Sequence, residues 1–202
     1  MWADGTHRQR LAASSSFDEY PGWSKDGQWI LFDSDRTGKF QIYRMRPDGT
    51  DLKQLTDAPA DSAVAEYSPD GSQIVFESRR ESDAYQIYTM NADGTNVLRL
   101  TQTYARNVQA TWSPDGKQIL FISERDGQNA LYVMNADGTD QRRLLLNMGT
   151  LRSPRWSPDG SLILFSADRT GNADLYLIRA DGSDVRQITF DSSDNYNGDW
   201  QP

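Results

Sequence analysis

A chain of 202 residues can build one sizeable core or a short array of repeats, and its 21 basic against 29 acidic residues leave a net charge of −8 that repels a nucleic-acid backbone. It has no cysteine, which excludes disulfides and thiolate metal sites, and no apolar run approaching the length that spans a membrane. Fifteen glycines, eight prolines and 11% aromatic residues suit many short strands joined by tight turns.

The chain opens on Trp2-Ala3-Asp4-Gly5-Thr6, a turn sequence that recurs further on, so no secretory leader is expected here. A short strand is expected over 7–12. The first complete unit begins at Trp23-Ser24-Lys25-Asp26-Gly27. It returns as Tyr67-Ser68-Pro69-Asp70-Gly71, Trp112-Ser113-Pro114-Asp115-Gly116 and Trp156-Ser157-Pro158-Asp159-Gly160, and a last fragment, Asp199-Trp200, stops before its turn. In such a turn proline presets φ, aspartate tolerates the next position and glycine takes the left-handed one. A second turn, Asn135-Ala136-Asp137-Gly138-Thr139, is echoed at 91–95 and more loosely at 46–50 and 179–183. Anchors at 23, 67, 112, 156 and 200 and glycines at 5, 49, 94, 138 and 182 share one spacing of 44, 45, 44 and 44 residues. Two independent markers with one period establish a repeat architecture.

Each repeat reads as four strands, which in the third copy are expected near 108–113, 118–123, 130–135 and 140–145. The second and third are apolar on both faces: Ile119 and Phe121 oppose Leu120, and Leu131 and Val133 oppose Tyr132 and Met134. A sheet apolar on both sides is covered on both sides, and the strands leave no room for a helix to do it. The cover is therefore neighbouring copies of the same sheet, fanned about an axis. The expected fold is all-β, a β-propeller of four complete four-stranded blades plus terminal partial-blade strands. Residues 1–202 form one domain with repeats 23–66, 67–111, 112–155 and 156–199 and a partial blade from 1–22 and 200–202. The terminal strands, at 7–12 and 195–201, would frame a fifth blade. Such an arc should expose apolar blade faces and strand edges and associate with itself.

The pattern Trp-Ser-Pro-Asp-Gly-x-x-Ile-x-Phe-x-Ser-x-Arg, followed by Ile-Tyr-x-Met-Asn-Ala-Asp-Gly-Thr and an Arg-x-Leu-Thr-like strand, resembles the WD-like repeats of TolB-type β-propellers over essentially the whole chain. Departures are Lys25 for Pro, Tyr67 for Trp, Ala167 for Ser and one extra residue near 80–88. The resemblance implies a non-catalytic platform for protein–protein interaction in the periplasm or another extracytoplasmic compartment. Related propellers also cap serine peptidases of the prolyl-oligopeptidase type and form some polysaccharide lyases. A partial propeller whose main property is assembly into a closed ring is a third reading.

Both signature turns lie on one face, where repetition reports folding needs. The other face and the central channel, built from turns and linkers that vary, are where a protein or peptide partner is expected. Arg36, Arg80, Arg125 and Arg169 occupy one slot in all four repeats. That is either a ring of cations for an acidic partner or, as the repetition favours, a locally paired arginine. Residues that break the symmetry are Asp18, Glu19, Arg106, Asn107, Arg152, Asn195 and Tyr196. The Asp-Gly turns lack the glycine and distal glutamate of a calcium loop. His7, the only histidine, supports neither a catalytic triad nor a metal cluster, so no metal and no cofactor are expected.

Overall fold

The computed structural model describes residues 6, 10–12, 15–169 and 171–201. Among the described residues sixteen strands form four antiparallel sheets, and within each sheet every strand pairs with the next in sequence. Blade 1 comprises β1 (Asp18–Trp23), β2 (Ile30–Ser34), β3 (Gln41–Met45) and β4 (Lys53–Gln54). Blade 2 comprises β5 (Ser62–Tyr67), β6 (Gln73–Ser78), β7 (Gln86–Asn91) and β8 (Leu98–Arg99). Blade 3 comprises β9 (Asn107–Trp112), β10 (Gln118–Ser123), β11 (Ala130–Asn135) and β12 (Arg142–Leu145). Blade 4 comprises β13 (Leu151–Trp156), β14 (Leu162–Ala167), β15 (Asp174–Arg179) and β16 (Arg186–Gln187). Among the described residues there is no helix, so the four blades make an all-β propeller.

The core lies between blades rather than within any one of them. Leu31, Ile42 and Leu55 of blade 1 meet Ile74, Phe76, Tyr88 and Met90 of blade 2. Val75, Ile87 and Leu100 of blade 2 meet Ile119, Phe121, Tyr132 and Met134 of blade 3. Leu120, Leu131 and Val133 of blade 3 meet Ile163, Phe165, Tyr176 and Ile178 of blade 4. The two apolar sides of each inner strand thus serve two different interfaces. First strands follow one another around the axis, β1 against β5, β5 against β9 and β9 against β13. Among the described residues no such packing joins blade 4 to blade 1.

Fourth strands are shorter than the sequence suggests, two residues in three of the blades. A threonine side chain replaces the next rung: the Ile42, Ile87 and Leu175 amides donate to Thr56, Thr101 and Thr189 Oγ1, each at 2.9 Å. Blade 3 has Leu145 in that slot, and there the ladder runs on, pairing Leu131 with Leu145.

Residues 7–9 of the expected N-terminal strand, with His7 and the turn at 2–5, lie outside the described residues. Residues 195–201 lie beside blade 4 and form no ladder among the described residues. The blade faces expected to be bare are met by these terminal segments. Leu11 and Ala12 pack on Ile30, Phe32, Tyr43 and Met45 of blade 1, and a side chain on Gly198 would strike Leu164 and Leu175 of blade 4. What stays open at the blade 1 end is the first strand, where Tyr20 is 58% and Trp23 62% exposed.

One glycine contact repeats at every junction. Gly94, with φ +92°, sits where an added Cβ would lie 2.9 Å from the Leu55 carbonyl oxygen; Gly138 and Gly182 face Leu100 and Leu144 in the same way, and Gly49 faces Leu11. Leu11 therefore holds the slot of Leu55, Leu100 and Leu144. Gly27 has φ +66° with open space around it. G27A should lose about 1–2 kcal/mol, the left-handed penalty alone. G94A should lose roughly 3 kcal/mol or more, because backbone atoms of two blades must also part. Urea unfolding of the two variants measures the difference.

Candidate functional site

The channel is built from a defect repeated in every first strand. The β1–β2, β5–β6, β9–β10 and β13–β14 ladders each slip at a bulge. At each bulge one non-glycine residue is left-handed: Tyr20 (φ 49°), Val64 (51°), Gln109 (54°) and Ser153 (50°), with Asn197 (54°) at the equivalent place in the C-terminal segment. For β-branched Val64 this is strained backbone, which persists only where its surroundings hold it.

A hydrogen bond across the blade junction does the holding. The Val64 amide donates to Asp33 Oδ2 of the preceding blade (2.8 Å) and the Gln109 amide to Glu77 Oε2 (2.9 Å). Asp33 and Glu77 interrupt apolar second strands directly after the phenylalanine. Blades 3 and 4 carry Ile122 and Ser166 there. With no carboxylate at 122, the Ser153 amide turns to the side chain of Gln109 instead, donating to Oε1 at 2.7 Å.

Where the four first strands converge they enclose a cavity of about 260 Å³, lined among others by Tyr20, Val64, Glu66, Glu77, Arg106, Gln109, Ser153 and Arg155. Glu66 spans two blades: Oε1 accepts from Thr111 Oγ1 (3.0 Å) and the Trp112 amide (3.2 Å), while Oε2 lies 3.8 Å from Arg155 Nη1. Ser153 Oγ donates to Asn197 Oδ1 at 2.6 Å. Burial pushes Asp33 and Glu77 up to about 7, against the pull of the amides they accept. Burial deep in the fold also raises Glu66, opposed by Arg155, although 38% of its side-chain surface still faces the channel. The cavity thus presents two carboxyls raised by burial, Glu66 and Glu77, beside two arginines. Among the described residues no group of His, Cys, Asp or Glu is arranged to hold a metal ion.

The residues singled out from sequence fall in several places. Arg106 lines the channel, 3.8 Å from Glu124, and Glu19 adjoins Tyr20 at its rim. Asp18 pairs with Arg36 at 2.9 Å. Asn107 is fully buried, its Nδ2 donating to Gln86, Thr103 and Ala105 and its Oδ1 accepting from Arg125. Arg152 stands 5.9 Å from the Tyr196 ring centre, and the Asn195 amide donates to the Ala173 carbonyl.

Arg36, Arg80 and Arg125 each lie over a stacked or tilted Phe–Tyr pair and donate Nε to Ser34, Ser78 and Ser123. Arg169, with Ala167 in place of that serine, is exposed and reaches Met148 Sδ at 3.8 Å. Asp33, Glu66, Glu77, Gln109 and Arg155 were missed. The available signal was a carboxylate breaking an apolar strand in two repeats out of four.

The TolB beta propeller domain family matches residues 1–81, 53–147 and 111–202, the whole chain in overlapping spans. A solved TolB candidate from Agrobacterium tumefaciens superposes with a TM-score of 0.77 at 27% identity, covering 92% of this chain and 66% of its own. TolB from Acinetobacter baumannii gives 0.78 at 22% identity, covering 96% of this chain and 49% of its own. The dipeptidyl-peptidase 5 of Porphyromonas endodontalis is 34% identical over 74 residues, 37% of this chain and 11% of that enzyme. The chain thus spans two thirds or less of the length of these relatives.

Asp33 sets a pH dependence. Below its unfolded value both states are protonated and the group contributes nothing. As pH rises towards 7 the unfolded chain gives up its proton first, so native stability falls, and it levels above about 7. D33N mimics the protonated form. It should match the wild type at pH 4 and exceed it at pH 8 by roughly 2–4 kcal/mol in urea unfolding. Equal stability of the two proteins at pH 8 contradicts the burial argument.

Proposed function

The chain belongs to the TolB β-propeller domain family, and from that premise we propose that it is a non-catalytic scaffold that holds a protein or peptide partner at the mouth of its central channel. The observation that carries this reading is the size and lining of the channel cavity. At about 260 Å³ it falls below the range that encloses a drug-sized substrate, yet it accepts one or two side chains of a docked partner. Its polar groups come from different blades, Glu66 and Glu77 from blade 2, Arg106 and Gln109 near blade 3, Ser153 and Arg155 from blade 4. A partner side chain entering there is read by all of them. The setting proposed for such a platform, by family resemblance, is an extracytoplasmic compartment.

A second reading, the propeller portion of a larger peptidase, is supported by the stretch shared with dipeptidyl-peptidase 5. Self-association through the open first strand of blade 1 is compatible with either. A photoreactive phenylalanine analogue at position 109 should capture a discrete protein partner, and the same residue at Lys117, on an exposed turn, should not. Binding of that partner should weaken at least about tenfold, ~1.4 kcal/mol, in R155A. Equal capture from both positions, or turnover of dipeptide substrates lost on a single side-chain change, contradicts the scaffold reading.

A further inference from the structure

We propose that the groove between blades 1 and 2 on the signature-turn face binds a carboxylate, through Arg44, Lys25 and Tyr67. The same groove recurs at the next two junctions, between consecutive Ser-Pro-Asp-Gly turns. In those copies a proline packs on the glycine of the following turn: a Cβ on Gly116 would lie 3.7 Å from Pro69 Cδ, and one on Gly160 3.7 Å from Pro114 Cδ. At the first junction Lys25 replaces proline, and nothing lies within 4 Å of where a Cβ on Gly71 would sit. The groove there holds about 320 Å³, between the roughly 250 and 390 Å³ of the other two, so its lining and not its size sets it apart.

Two further departures converge on that space. Trp29 stands where the other blades have Gln73, Gln118 and Leu162. Arg44 stands where they have Thr89, Val133 and Leu177. Both line the groove with Lys25. The Arg44 guanidinium lies 4.2 Å from the Trp29 ring centre and that of Arg46 4.1 Å, which fixes the arginine plane before any ligand arrives.

The groove is short of acceptors. Arg44 Nη1 donates to the Ala92 carbonyl at 2.8 Å, but the buried Nε has no partner. The Tyr67 hydroxyl, on a side chain 9% exposed, lies beside the Arg44 guanidinium, which opposes the rise that burial gives its pKa, yet it makes no hydrogen bond of ordinary geometry. Lys25 has no ion pair among the described residues. The two carboxylates at the groove hold its turns: Asp26 Oδ1 accepts from Ser24 Oγ and the Gln28 amide, and Asp70 accepts from Ser68 Oγ, Ser72 Oγ and the Ser72 amide. A buried donor without an acceptor is costly, and a planar carboxylate matches a guanidinium edge flanked by a hydroxyl and an ammonium. Water is the competing occupant; the Trp112 and Trp156 indole N–H groups, also unpartnered in the other two grooves, have no such arginine beside them.

The test follows the Arg44 Nε–Hε and Trp29 indole resonances of the whole chain at constant ionic strength. The probes are sodium acetate, a C-terminally amidated tetraglutamate and a neutral tetra-alanine amide. Saturable shifts with the carboxylate probes and none with the neutral peptide are expected, at least tenfold weaker in R44T and in K25P. K25P restores the residue of the other three turns and should leave the fold and the channel intact. Tetraglutamate binding at least tenfold tighter than acetate identifies the source as an acidic segment of a partner, and comparable affinities identify small carboxylates. An unmoved Arg44 signal, or shifts that persist unchanged in both variants, means that water completes these donors and overturns the proposal. Either result is independent of the channel, which R44T and K25P do not alter.

Discussion

Face-to-face burial of near-identical sheets is the constraint on which the rest depends. No blade has a core of its own. Each inner strand gives one side to the preceding blade and the other to the following one, so Leu31 and Phe32, adjacent in sequence, belong to different interfaces. A sheet with two apolar sides is insoluble alone and stable only inside the stack. The repeated glycine at each third-to-fourth turn is part of the same arrangement, because a leucine at or just beyond the fourth strand of the neighbouring blade (Leu55, Leu100 or Leu144) occupies the space where its side chain would be.

That constraint is local and repeats, which is why the fold was legible in the sequence. Two turns with one period, an aromatic anchor and strands apolar on both sides leave few alternatives to fanned sheets. The second and third strands of blade 3 lie where the pattern put them. The fourth strands came out shorter because a threonine hydroxyl, which looks like one more β-favouring residue in sequence, takes the backbone's place as hydrogen-bond partner. The covered outer faces of blades 1 and 4 were also not legible, since they depend on where residues 11–12 and 198 come to rest in space.

The channel was harder to read for a physical reason. Its wall is set by a left-handed bulge, and no residue type marks that bulge: Tyr20, Val64, Gln109 and Ser153 share nothing but position. The acceptors that hold it lie on the preceding blade, more than thirty residues away in sequence. Linker residues such as Asn107 looked conspicuous because they break the repeat, yet Asn107 is absorbed in satisfying buried groups, whereas Asp33 and Glu77, inside otherwise regular strands, shape the cavity. Departures from symmetry inform only when several converge on one space, as Lys25, Trp29 and Arg44 do.

The most direct test of the inter-blade account is native-state hydrogen exchange on L120A. Leu120 is fully buried between blades 3 and 4, and its truncation should cost about 2–5 kcal/mol. The account predicts that amides of β10 and β14 lose protection together and by similar amounts, while those of β2 lose less. Loss confined to blade 3, with Ile163 and Phe165 unaffected, would show that each sheet stands by itself and would contradict the central claim.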